Sequence, residues 1–105
     1  MAMKYQELLL GFVRLHILHH ASEGALYGQW MIEELGRHGY RLSPGTIYPM
    51  LHALERMGYL RSVRRRQGRT FRRVYRATPR GRRALTVARG KARELFGELV
   101  RESKR

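Results

Sequence analysis

The feature that most restricts how this chain can fold is a stretch that it cannot bury. From Arg61 onward come Arg64, Arg65, Arg66, Arg69, Arg72, Arg73, Arg76, Arg80, Arg82 and Arg83, with no Asp or Glu among them. Guanidinium groups without acidic partners have to face water or a polyanion. Yet Val63, Phe71, Val74 and Tyr75 are interleaved with these arginines, and Gln67-Gly68 supplies a turn. Residues 60–66 and 69–76 therefore read as the two strands of a hairpin.

Upstream, the pattern is helical. From Lys4 to about Ser22 the apolar residues Leu8, Leu9, Leu10, Phe12, Val13, Leu15, Ile17 and Leu18 occupy nearly every side of a helical wheel, which predicts a helix buried on most sides. Leu26 to about His38 reads as a second helix with Trp30, Met31 and Leu35 on one face, broken by Gly39. Ser43-Pro44 is a helix start: the hydroxyl can accept from first-turn amides, and the missing proline N–H costs nothing at that position. The third helix carries Ile47, Met50, Leu51, Leu54 and Met57 on an inward face, and Gly58 ends it. Thr78-Pro79 repeats the capped start. Along the last helix Leu85, Ala88, Ala92, Leu95 and Leu99 alternate spacings of three and four, a narrow apolar seam on a charged rod.

The expected fold is mainly α with a two-stranded β wing. It is a winged helix-turn-helix over residues 1–78 followed by a C-terminal dimerisation helix over 79–105, in one continuous unit. In that architecture the third helix enters the major groove of DNA and the wing lies on the backbone. A net charge of +14, from 22 basic and 8 acidic residues, implies a polyanionic partner. The dominance of arginine, which pairs bidentately with phosphate and guanine, favours nucleic acid over a membrane surface. There are no cysteines, which excludes disulfides and thiolate metal sites. Arg14 and the histidines after it interrupt the first apolar run before it reaches a membrane-spanning length, and no secretory signal is evident, so a cytoplasmic protein is expected. No nucleophile-and-base set, paired carboxylates or phosphate-binding glycine loop points to an enzyme.

At the third helix the pattern becomes specific. Leu42, Ser43, Pro44, Gly45, Thr46, Ile47, Tyr48, Pro49, Met50 and Leu51, followed by Leu54, Glu55, Gly58 and Leu60, resemble the signature of the PadR family of bacterial transcriptional regulators. Val74 through Gly81 resemble that family's second wing strand and the start of its last helix. The resemblance implies a homodimer held by the last helix with the first, of the shorter subfamily with a single C-terminal helix, binding a palindromic operator and usually repressing. Leu8, Phe12, Leu85, Ala88, Ala92, Leu95, Phe96 and Leu99 are the expected dimerisation residues, with a seam that merely folds back on its own domain as the alternative. It also implies a flat aromatic effector held near the dimer interface, for which Trp30 and Phe96 are candidates. A plain core role for Trp30 competes with that.

Off the inward face of the third helix lie Gly45, Thr46, Tyr48, Pro49 and His52, which with Ser43 and Pro44 are candidate DNA contacts. Thr46 and Tyr48 offer hydroxyls to phosphate oxygens, and the first-turn amides beside Ser43 form an anion site. Tyr48 can equally be a half-buried packing aromatic. No Arg, Asn or Gln precedes Arg56 on this surface, so specificity would rest partly on apolar contact and DNA shape. On the wing, Arg64, Arg65, Arg66, Arg69, Thr70 and Arg72 are the expected contacts with phosphate or minor groove. His16, His19, His20 and Glu23 stand at helical spacing with donors suited to a divalent metal, most naturally zinc, although histidines so placed also cap, stack or meet a partner chain. No cofactor is required. A nonspecific architectural nucleic-acid binder remains the competing function.

Overall fold

The computed structural model describes residues 6–102, so the first residues of the expected opening helix, from Lys4, lie outside the description. Four helices surround a small sheet: α1 (Gln6–Glu23), β1 (Leu26–Tyr27), α2 (Gly28–Arg37), α3 (Pro44–Arg56), β2 (Leu60–Gln67), β3 (Thr70–Ala77) and α4 (Pro79–Glu102). None of these helices is long and apolar enough to cross a membrane.

The inward faces of α1, α2 and α3 meet through Val13, Ile17, Leu18, Met31, Leu35, Ile47, Leu51 and Leu54, closed from below by Leu60, Tyr75 and Leu85. Two glycines turn the chain between these elements. After α2, Gly39 takes φ 89°, and the amides of Gly39 and Tyr40 return to the carbonyls of Gly36 and Leu35. After α3, Gly58 takes φ 83° and its amide and that of Tyr59 return to Glu55 and Leu54 in the same way. Both ends thereby satisfy their last carbonyls in a Schellman arrangement, which needs the left-handed residue that glycine supplies most cheaply.

The hairpin is a regular antiparallel pair running from Leu60↔Ala77 to Gln67↔Thr70, with Gly68 at φ 61° in the turn. It is widened by a third strand. Leu26 and Tyr27, expected as the beginning of the second helix, instead pair with Tyr75 and Val74, giving the sheet order β1-β3-β2. Leu26 is buried in the core by that pairing, and α2 starts two residues later.

The two capped starts differ. Thr78 Oγ1 accepts from the Gly81 amide at 2.9 Å and donates to the Gly58 carbonyl at 2.6 Å, tying the start of α4 to the end of α3. Ser43 occupies the same position for α3 but its side chain makes no capping bond; its carbonyl receives the amides of Thr46 and Ile47 instead. Gly81 lies against the Tyr59 carbonyl so closely that any side chain there would overlap it.

Two expectations of burial do not hold. Met57, read as part of the inward face of α3, is half exposed because it follows the last helical turn. The N-terminal half of α1 is not enclosed: Leu8 is 77% exposed, and Phe12, 40% exposed, lies 5.2 Å from the Phe96 ring on α4. The seam of α4 divides likewise. Leu85 is buried against its own domain, Ala88 and Ala92 are half-buried, and Leu95 and Leu99 are 56% and 65% exposed.

Candidate nucleic-acid interface

On α3, Pro44, Gly45, Pro49 and His52 face solvent together with Ser43, while Thr46 is half-buried. Tyr48 is also half-buried, for a specific reason. Its ring lies over Gly28 at the start of α2, where an added Cβ would come within 2.8 Å of the Tyr48 hydroxyl. The packing role and the outward role of Tyr48 thus coexist: the ring is clamped and the residue lines an open cleft. That cleft, of about 360 Å³, is bounded by Tyr27, Gly28 and Gln29 on one side, Tyr48 and His52 on α3, and Phe71, Arg72, Arg73 and Tyr75 on the wing. Of these, Tyr27, Gln29, Phe71, Arg73 and Tyr75 escape sequence reasoning, since they come together only through the β1–β3 pairing.

Register determines how the wing charges are disposed. Arg61↔Arg76, Arg64↔Arg73 and Arg65↔Arg72 stand directly opposite one another across the strands. Cross-strand like charges destabilise a hairpin. Among the described residues none of these arginines is ion-paired with a carboxylate, Glu55 reaching Arg73 only through the Ser62 hydroxyl, and the aromatic rings only partly compensate: Arg64 lies over Phe71 at 4.5 Å and Arg72 over Tyr27 at 4.7 Å. Arg66 and Thr70 instead secure the tip, Arg66 Nε donating to the Gly68 carbonyl at 3.2 Å and Thr70 Oγ1 to the Gln67 carbonyl at 3.1 Å. Arg65 and Arg69 are exposed beside them.

The wing is tied to α3 by hydrogen bonds. Glu55, at the end of that helix, accepts from the Ser62 amide at 3.1 Å and the Ser62 hydroxyl at 2.8 Å, and Arg73 Nη1 donates to the same hydroxyl at 3.1 Å. Tyr75 lies next to this brace, 1% exposed, and its hydroxyl has no hydrogen-bond partner among the described residues. Burial, reinforced by the negative charge of Glu55, pushes its ionisation upward.

The remaining candidates separate into two places. Phe96 lines a hollow of about 490 Å³ between α1 and α4 with Phe12, Leu15, Tyr40 and Ala92, whereas Trp30 lines another with His20, Glu23 and Tyr27. Within one chain the two aromatics proposed to share an effector pocket are therefore apart. The histidines are also regrouped. His19 is engaged from α4, its Nδ1 accepting from Arg89 Nη2 at 2.7 Å, while His16 and His20 turn toward Glu34 of α2. A hydrogen bond from Arg37 holds the Glu34 carboxyl at about 2, well below the usual range. Burial, then the neighbouring His20 and His38, lower the proton affinity of His16.

In sequence and in fold the chain is similar to known proteins. Residues 17–87 match the model of the transcriptional regulator PadR-like family. The transcriptional regulator Rv3488 of Mycobacterium tuberculosis is 56% identical over 88 residues, covering 84% of this chain and 82% of that protein. A PadR family transcriptional regulator from Eggerthella lenta superposes with a TM-score of 0.81 at 28% identity, covering 90% of this chain and 84% of the other. A transcriptional regulator from Clostridium thermocellum gives 0.79 at 24% identity over 95% and 97% of the two chains, a likeness that speaks to the fold alone. With the family's model matched over residues 17–87 and more than half of the aligned positions shared with the mycobacterial regulator, the chain belongs to the PadR-like family of transcriptional regulators.

Proposed function

We propose that this regulator is a cytoplasmic repressor that binds a palindromic operator as a homodimer, with α3 in the major groove and the wing along the adjacent phosphates. The observation that carries the reading is the set of arginine pairs facing each other across β2 and β3. Each pair costs folding stability in isolation and becomes favourable only against a polyanion, whose counterions it displaces. Ser43, Pro44, Gly45, Thr46, Tyr48, Pro49 and His52 would meet the groove, and Arg64, Arg65, Arg66, Arg69, Thr70 and Arg72 the backbone or minor groove.

Dimerisation is supported by apolar surface that one chain leaves uncovered: Leu8 and Phe12 on α1, and Leu95, Phe96 and Leu99 on α4. Large uncovered patches of this kind mark association surfaces. A small effector would adjust the affinity for DNA, and the aromatic-walled hollow around Phe12 and Phe96 suits a flat apolar compound.

A salt-titrated binding assay comparing a palindromic site upstream of the protein's own gene with random duplex tests the proposal. Tighter binding to the palindrome by orders of magnitude is expected. Equal affinity would favour a nonspecific architectural binder, the reading that gains from the absence of Arg, Asn and Gln on α3 before Arg56.

A further inference from the structure

The histidine-rich junction between α1 and α2 is not used by the interface described above. His16 and His20 stand one turn apart on α1, and Glu34 reaches them from α2. His16 Nε2 and His20 Nε2 are 3.3 Å apart, His20 Nε2 is 3.4 Å from Glu34 Oε2, and His16 Nε2 is 3.7 Å from the same oxygen. A zinc ion bound tetrahedrally at 2.0–2.1 Å from each ligand separates its donors by roughly 3.3 Å, so these three atoms already span one face of such a tetrahedron.

We propose that His16, His20 and Glu34 form a binding site for one divalent cation of the zinc class, which fastens α1 to α2. The donor set, two imidazole nitrogens and a carboxylate oxygen, suits zinc better than calcium or magnesium, which prefer oxygen alone. The surroundings are those of a supported site. Arg37 holds the other oxygen of Glu34, with Nη2 at 2.6 Å and Nε at 3.1 Å from Oε1, and leaves Oε2 turned toward the imidazoles. His38 Nε2 lies 3.0 Å from Oε2, so a further imidazole stands beside the three donors. The Trp30 ring stands edge-on to His20 at 5.1 Å and shields one flank. The ligand side chains are 32%, 18% and 14% exposed, sheltered but open to an entering ion. This grouping replaces the set His16, His19, His20 and Glu23 expected from helical spacing. A second triad, His19, His20 and Glu23, is more open, with Glu23 62% exposed.

The site stands independently of the DNA reading, and its test measures the ion alone. The full chain, stripped with a chelator, is titrated with zinc against a chromophoric competitor, and separately with cobalt as a spectroscopic probe. One zinc per chain and the intense visible absorption of tetrahedral cobalt are expected. Glu34→Gln and His20→Ala should each weaken zinc by about 100-fold or more, and Arg37→Ala by about 10-fold, as the loss of an outer partner does. Glu33→Gln, one residue away, should leave zinc affinity unchanged. Zinc retained at full affinity by Glu34→Gln, zinc lost on Glu23→Gln, or a pale octahedral cobalt spectrum from the unaltered chain would overturn the assignment. The cobalt spectrum needs no variant, so it decides the question even if a substitution unfolds the chain.

Discussion

Tyr75 shows how much a single residue can carry in a chain this small. Its ring is buried in the core, yet its hydroxyl is buried without a partner among the described residues. An unsatisfied buried hydroxyl costs roughly 1–3 kcal/mol, whereas removing a satisfied one is destabilising. Tyr75→Phe is therefore expected to leave stability unchanged or raise it by about 1 kcal/mol, read as the midpoint of urea unfolding; a fall would reveal a bond that the hydroxyl makes after all. At this scale the sequence is informative where the cause is local. Gly39, Gly58 and Gly68 all take the left-handed conformation that their positions suggest. It is uninformative where the cause is a distant neighbour. Thr78 caps and Ser43 does not, although both precede a proline, because only Thr78 has the Gly58 carbonyl to hold its hydroxyl in place. The requirement for glycine at Gly81 comes likewise from Tyr59, far back in the sequence.

The elements divide by the same rule. The helices and the hairpin follow from periodicity, turn residues and caps, and are legible. β1 is not, since two residues show no alternation and Leu26-Tyr27 is a strand only because β3 runs beside it. Glu34 cannot be joined to His16 and His20 from spacing, because the helix-to-helix approach that unites them is tertiary. Two predictions belong to the elements. Replacing Arg65, Arg66 and Arg69 by Ala should weaken binding to every duplex and reduce the slope of log affinity against log salt by about 1 for each phosphate no longer neutralised, measured by fluorescence anisotropy. An unchanged slope would mean that the wing tip does not touch the backbone. Leu95→Asp places a charge in the uncovered stripe of α4, and monomers by analytical ultracentrifugation are the expected outcome; intact dimers would move the interface elsewhere.

For the whole molecule, a charge of +14 concentrated in one region makes salt act in opposite directions on the free and bound states. Without DNA, shortening the Debye length from about 10 Å at 0.1 M to about 3 Å at 1 M screens the facing arginines, so the thermal midpoint should rise. With DNA, the same change should release the protein. Scanning calorimetry of the free protein tests the first half, and a midpoint that falls with sodium chloride would show that the arginine pairs impose no strain. The brace from Glu55 to Ser62 and Arg73 bears on all of this. Because it locks the root of the flap to the reading rod, the span between them works as a caliper with a fixed jaw. If rod and flap hold DNA as proposed, such a gauge would adapt little to the width of what it grips, and the double helix would do most of the yielding. Tracts that resist narrowing or flexing would then be rejected at base pairs that no side chain ever reaches.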